Sequence, residues 1–194
     1  MAYMPILNDA SRQPIARPLS ADARALVVAG GGAGIDGLRP LEDALTEARA
    51  VIKHFPQGTL LAEGEATTVE LSAQIQRAEI FHFAGHALIH GGESVLVLNS
   101  ANLDHGGALF DVKTLRSIRT PQLQMAVLSA CSTENGGDGL PEDFDSLARV
   151  FLSRGVPHVI ASRWNVDSNS TVLLMEKFYE RLLAGSTVPQ ALAT

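Results

Sequence analysis

EIFHFAG at 79–85 and QMAVLSA at 124–130 are short, almost unbroken apolar runs, rich in residues that suit a pleated surface and too brief for helices. A strand apolar on both sides must be covered on both faces, which is the situation inside a parallel sheet. Outward from this pair the pattern repeats. Upstream, ALVVAG (25–30) reads as a strand, 41–54 as an amphipathic helix and TLLAEG (59–64) as another strand. Thr67 or Thr68 is placed to cap a helix running to Ala78. Between the two runs, ESVLVLN (93–99) alternates like a short hairpin arm, and a helix over 111–118 is halted at Pro121. Downstream come a helix over 144–153, the strand HVIASRW (158–164) and a helix over 168–183. Five near-continuous apolar strands separated by helices predict an α/β fold with a mostly parallel central sheet covered on both faces. Residues 1–23, with three prolines and no clear period, are expected to be a linker or lead-in to a domain covering 24–194.

A length of 194 residues fits one domain, and 46% hydrophobic residues with dispersed glycine and proline exclude a disordered or fibrous chain. Fifteen basic residues against 21 acidic ones leave a net charge of −6, and the basic residues are scattered singly, which argues against a nucleic-acid partner. No apolar run approaches the roughly 20 residues of a membrane span, and the first residues lack the basic start and apolar stretch of a signal peptide. A cytoplasmic protein without a membrane partner is expected. The single cysteine excludes an internal disulfide and leaves one thiol to explain.

In open α/β sheets, ligands and catalytic groups gather beyond the carboxyl ends of the strands. His86 directly follows EIFHFAG and Cys131 directly follows QMAVLSA, so both are expected at the same sheet edge. A thiol attacks as thiolate, and a neighbouring imidazole can take its proton and return it to a leaving amine. Ala84, Gly85, Ala87, Ser129 and Ala130 are small enough to let a peptide approach. The backbone N–H groups of Ala87 and Cys131 are candidate donors to the oxyanion of a tetrahedral intermediate. The bland alternative makes Cys131 a buried small hydrophobe and His86 a satisfied loop histidine. Against it, caspase-type nucleophiles sit in an Ala-Cys pair with the histidine roughly 50 residues upstream, close to the spacing of HFAGH and SAC here.

Taken in order, HFAGHA (82–87), LSACSTENGGDG (128–139), LARVFLSRGVPHVIASRWNVD (147–167) and LLMEKFYERLLAG (173–185) resemble the CHAT domain, a caspase- and separase-like peptidase domain. The resemblance implies a caspase-like three-layer α/β/α sandwich, with His86 and Cys131 as the catalytic pair. It also implies a cysteine endopeptidase without cofactor, acting on a protein or peptide substrate. Such domains are attached to TPR or other sensor modules in bacteria, which suggests an effector in signalling or defence. A catalytically inactive interaction module with the same fold is the alternative. The family's usual glycine after the histidine is Ala87 here, and Arg163 stands where an apolar residue is usual. PQALAT (189–194) begins a helix where resembling domains continue to one further strand, so the domain is expected to be incomplete at its C-terminus.

In that architecture the substrate side pocket lies between the loop after the nucleophile and the loop after the next strand, where Asp138, Glu142, Asp143, Asp145 and Asp167 fall. Separase-like relatives read a basic residue with an acidic one after the tryptophan, and Asp167, seconded by Asp138, is the nearest match. These carboxylates read equally as loop solvation or helix caps, a role that Asp143, Asp145 and Ser168 fit. Arg163 would instead select an acidic residue.

Two further patterns are discounted. Gly32-Ala-Gly34-Ile-Asp-Gly37 satisfies a dinucleotide-binding spacing, with Glu63 and Glu65 at the end of the next strand, but Arg39 and Pro40 intervene before the helical pattern begins. His82, His86 and His90 recur every four residues, yet the strand character of 79–85 and the glycines at 85, 91 and 92 break any helix that would stack them around a metal. His82 is expected to be a packed strand histidine hydrogen-bonded within the sheet.

Overall fold

The structure, a computed structural model, describes residues 6–7, 18–30, 41–90, 93–98, 109–132, 145–161 and 168–193. The first half contains β1 (Ile6–Leu7), β2 (Ala25–Gly30), α1 (Glu42–Ile52), β3 (Thr59–Leu61), α2 (Thr68–Ile75), β4 (Ile80–His90) and β5 (Glu93–Val97). The second contains β6 (Leu109–Asp111), α3 (Val112–Ser117), β7 (Met125–Ser132), α4 (Asp145–Ser153), β8 (His158–Ala161), α5 (Ser168–Leu183) and α6 (Val188–Leu192).

α2, α3 and α6 start where a side chain satisfies one of the first N–H groups. Thr67 accepts from the Glu70 N–H, Asp111 from the Thr114 N–H at 2.7 Å, and Thr187 with Gln190 forms a reciprocal capping box before Pro189. In the 8-stranded sheet the main path runs β1-β8-β7-β4-β2-β3. Its centre, β8-β7-β4-β2-β3, is parallel throughout, as the doubly apolar strands predict. Ile6 and Leu7 pair antiparallel with Ile160 and Val159, so part of the segment expected to be a lead-in extends the sheet. Two residues are too few for a strand period to show in sequence.

Side-chain alternation divides the interior into two layers. Phe81, Phe83, Leu26, Val28 and Leu128 pack under α2, α3 and α4, with Leu71, Leu115 and Phe151 as the helical counterparts. On the other face Val27, Ile80, Met125, Val127 and Ile160 pack under α1, α5 and α6, through Val51, Phe178, Tyr179 and Ala191. This is the three-layer α/β/α sandwich expected from the sequence.

One strand differs from its expected length. β4 does not stop at Gly85 but runs to His90, and its last residues, Ala87–His90 in register with Leu96–Glu93, carry β5 antiparallel. β6 adds to β5 in turn, and the Thr68 hydroxyl donates to the Leu109 carbonyl, tying this arm to the start of α2. Gly85 reads as a strand terminator in sequence, but it answers a close approach. A Cβ there would lie 2.4 Å from the Gly30 carbonyl oxygen and 2.8 Å from Cζ of Phe83. Gly30 is under the same constraint, since a Cβ there would sit 2.0 Å from the Val97 carbonyl oxygen, where β5 takes the place of the ending β2.

Candidate active site

The parallel ladder between β4 and β7 pairs Ala84 with Ser129, Gly85 with Ala130, His86 with Cys131 and Ala87 with Ser132. Positions 86 and 131 are therefore opposite one another on adjacent strands, which in a sheet lie about 4.8 Å apart. Along β4 the alternation that puts His82 on the face covered by α1 and α5 puts position 86 there too. Positions 86 and 131 sit toward the carboxyl ends of their strands. They are strand residues, however, and not the first residues of loops as their sequence context suggests: β4 continues past His86 and β7 extends to Ser132.

This location alters the chemistry open to the neighbours. His86 is 1% exposed, as is Ala87. Ala87 has a strand on each side, Ser132 across one ladder and Leu96 across the other, so its N–H belongs to paired backbone rather than to an open loop. Position 131 pairs with β4, while the described pairing of β7 with β8 ends at Leu128 and Ala161. Asp138, Asp167, Glu142, Asp143, Arg163, Trp164 and the Gly32–Gly37 pattern lie outside the described residues; Asp145 and Ser168 are the first residues of α4 and α5.

The three histidines at four-residue spacing lie along one strand, so successive ones are separated by about 13 Å at about 3.3 Å per residue. Such a row cannot converge on one ion, and among the described residues no group of three or more His, Cys, Asp or Glu side chains could hold a metal. His82 has a different environment from the one expected. Its ring is fully buried and bonds to the covering helices rather than within the sheet: Nδ1 lies 3.0 Å from the Tyr179 hydroxyl of α5 and Nε2 lies 3.0 Å from Oε1 of Glu47 on α1. Strand side chains stand perpendicular to the sheet, so helices are the partners within reach. Burial, together with the Glu47 charge, pushes the Tyr179 hydroxyl well above the ordinary tyrosine range, and it keeps its proton. Tyr179, which keeps its proton, faces Nδ1 and Glu47 faces Nε2, so both ring nitrogens have a partner. The sequence pattern gave no sign of Glu47 or Tyr179 as partners of His82, because both lie far along the chain from it.

Among the described residues no helix is long and apolar enough to cross a membrane. A mostly parallel sheet between two helical layers, with a histidine and a cysteine in register on its two central strands, defines the class as a caspase-like α/β/α domain. The family model for the CHAT domain matches residues 1–194, the whole chain, and the chain belongs to that family, which is related to caspase-like peptidases. No curated protein matches the chain.

Proposed function

We propose that the chain is a cysteine endopeptidase of the caspase and separase type, with Cys131 as nucleophile and His86 as its proton-transfer partner. The observation that carries this reading is the register of His86 with Cys131 on adjacent parallel strands, toward the strand ends where α/β sheets assemble their sites. The Cys131 thiolate attacks the scissile carbonyl, and the carbon–nitrogen bond breaks as His86 delivers the thiol's proton to the leaving amine. Water, deprotonated by His86, then hydrolyses the thioester and regenerates the thiol. The backbone N–H of Cys131 is the first candidate to hold the oxyanion. That of Ala87 can join it only where substrate binding opens the pairing on one side of β4. Asp167, with Asp138, is proposed to read a basic residue before the scissile bond. The substrate is a protein or peptide, the setting is bacterial signalling or defence in the cytoplasm, and TPR or other sensor modules in a parent protein would supply control.

Peptide cleavage by the wild type, abolished in Cys131→Ala and in His86→Ala with the fold intact by circular dichroism, is the expected result. Cleavage surviving both substitutions would refute the dyad. The second reading, an inactive interaction module of the same fold, is favoured by one observation: His86 is 1% exposed, as a histidine with a packing role would be. A thiol-directed peptide probe separates the two, since the peptidase labels at Cys131 and the module does not.

A further inference from the structure

At the amino ends of β2 and β3, the edge opposite to positions 86 and 131, lies a cleft of about 110 Å³ lined by Arg24, Gln57, Thr59, Gln74 and Arg77 with Ala25, Leu26 and Ala78 at its base. Among the described residues no carboxylate lines it, although acidic residues outnumber basic ones in the chain, 21 to 15. Arg24 is held in place by the neighbouring strand. Its backbone N–H donates to Glu79 at 3.0 Å, its Nε lies 3.8 Å from the same carboxylate, and one terminal nitrogen donates to Gln122. Arg77, just past the end of α2, has no ion pair among the described residues, and its backbone N–H is already engaged by the Gln74 carbonyl. The Gln74 amide donates to Glu70 within its own helix.

Arg24 and Arg77 both line this one concavity, and Glu79 offsets the charge of Arg24 alone. Among the described residues the Arg77 charge has no carboxylate partner. Arginine forks suit planar or tetrahedral oxyanions, which accept two parallel N–H bonds. The cleft is below the roughly 300 Å³ at which sites for drug-sized molecules begin, so it takes a small charged group rather than a large apolar ligand. We propose that this cleft is an anion-binding site for a small oxyanion, a phosphate or carboxylate group, with Arg77 as the principal contact and Arg24, Thr59 and Gln57 completing the donor set. The site is independent of the proposed peptidase chemistry and lies at the opposite edge of the sheet, on β2 and β3 rather than on β4 and β7.

The test is titration of the full chain with inorganic phosphate and, separately, acetate, followed by amide chemical shifts at constant ionic strength maintained with sodium chloride. Saturable shifts centred on Arg24, Thr59 and Arg77 are expected, and Arg77→Gln is expected to weaken binding roughly tenfold or more, the loss of a charge-assisted hydrogen bond. Arg77 is exposed, so Arg77→Gln should leave the unfolding midpoint unchanged, and Arg49→Gln, outside the cleft, should leave binding unchanged. Tighter binding of phosphate would identify a phosphoryl group as the natural ligand, and equal or tighter binding of acetate a carboxylate. Absence of saturable shifts with either anion would overturn the proposal, as would equal binding by wild type and Arg77→Gln. Catalytic activity plays no part in the readout, so failure of the peptidase reading and failure of this site are told apart.

Discussion

Tyr179→Phe removes one oxygen from the centre of the α1/α5 layer, and its cost can be worked out from the structure. The ring itself keeps its packing: Phe178 and Phe55 meet it edge-on at 5.0 and 5.4 Å, and His54 stacks at 6.3 Å. What is lost is the bond to Nδ1 of His82, whose ring is fully buried. Leaving a buried polar atom unsatisfied costs about 1–3 kcal/mol. That exceeds the small hydrophobic gain from removing a hydroxyl, so the variant is destabilised. In a domain of this size each kcal/mol lowers Tm by about 2–4 °C, so a fall of roughly 4–8 °C is expected for a loss near the middle of that range. Urea unfolding of wild type, Tyr179→Phe, Glu47→Ala and the double variant measures it. The two singles should be non-additive by at least about 0.5 kcal/mol, because both act on opposite nitrogens of one imidazole. Alkaline titration gives an independent reading. Tyr179 should ionise only as the fold opens, since burial and Glu47 hold its hydroxyl well above the usual value. The folded state's raised pKa means that this contribution is complete below the ordinary tyrosine range and is lost as pH rises through the folded value. A stability loss under about 0.3 kcal/mol in Tyr179→Phe, or ionisation of Tyr179 at the ordinary tyrosine pKa in the folded state, would refute the clasp.

Gly85→Ala should cost about 1–3 kcal/mol or more by overpacking, since its new methyl meets the rigid Gly30 carbonyl at 2.4 Å; unfolding midpoints unchanged from wild type would contradict the backbone contact. Asp111→Ala removes the cap of α3 and should cost about 1 kcal/mol at neutral pH. Burial raises the Asp111 carboxyl, but hydrogen bonds from Thr114 and the charge of Lys113 outweigh it and leave the group below its usual value. Its stabilising effect is therefore present above the unfolded-state pKa and fades as pH falls through the folded one, so the wild type and Asp111→Ala should converge in stability below about pH 4. His158 is held below its ordinary value by burial, so the unfolded chain takes up the proton first as pH falls. Stability should drop as pH falls below about 6.5 and level off beneath the folded pKa, and His158→Gln should flatten that part of the urea-midpoint profile.

Much of the architecture was legible from hydrophobic pattern alone. The doubly apolar runs identified the parallel strands because burial on two faces leaves no place for alternating polar residues. α5 starts and ends where helical spacing places it, at Ser168 and Leu183. Strand boundaries were less legible. Gly85 looks like a terminator because composition cannot distinguish a glycine needed for a turn from one needed because another backbone passes within contact, and that single ambiguity moved His86 from loop to strand. β6 was invisible for a related reason, since three residues carry no period.

By itself the sequence determined the class: an α/β domain with its only cysteine and one of its histidines near the carboxyl ends of two core strands. It could do so because periodicity and strand length are local consequences of burial. Only the tertiary structure decided that β4 and β7 are neighbours, that His86 and Cys131 stand in register, and that Glu47 and Tyr179 close on His82 from two helices. Strand order and helix docking are fixed by how distant faces fit together, and that fit depends on the shapes of whole layers rather than on any stretch of chain.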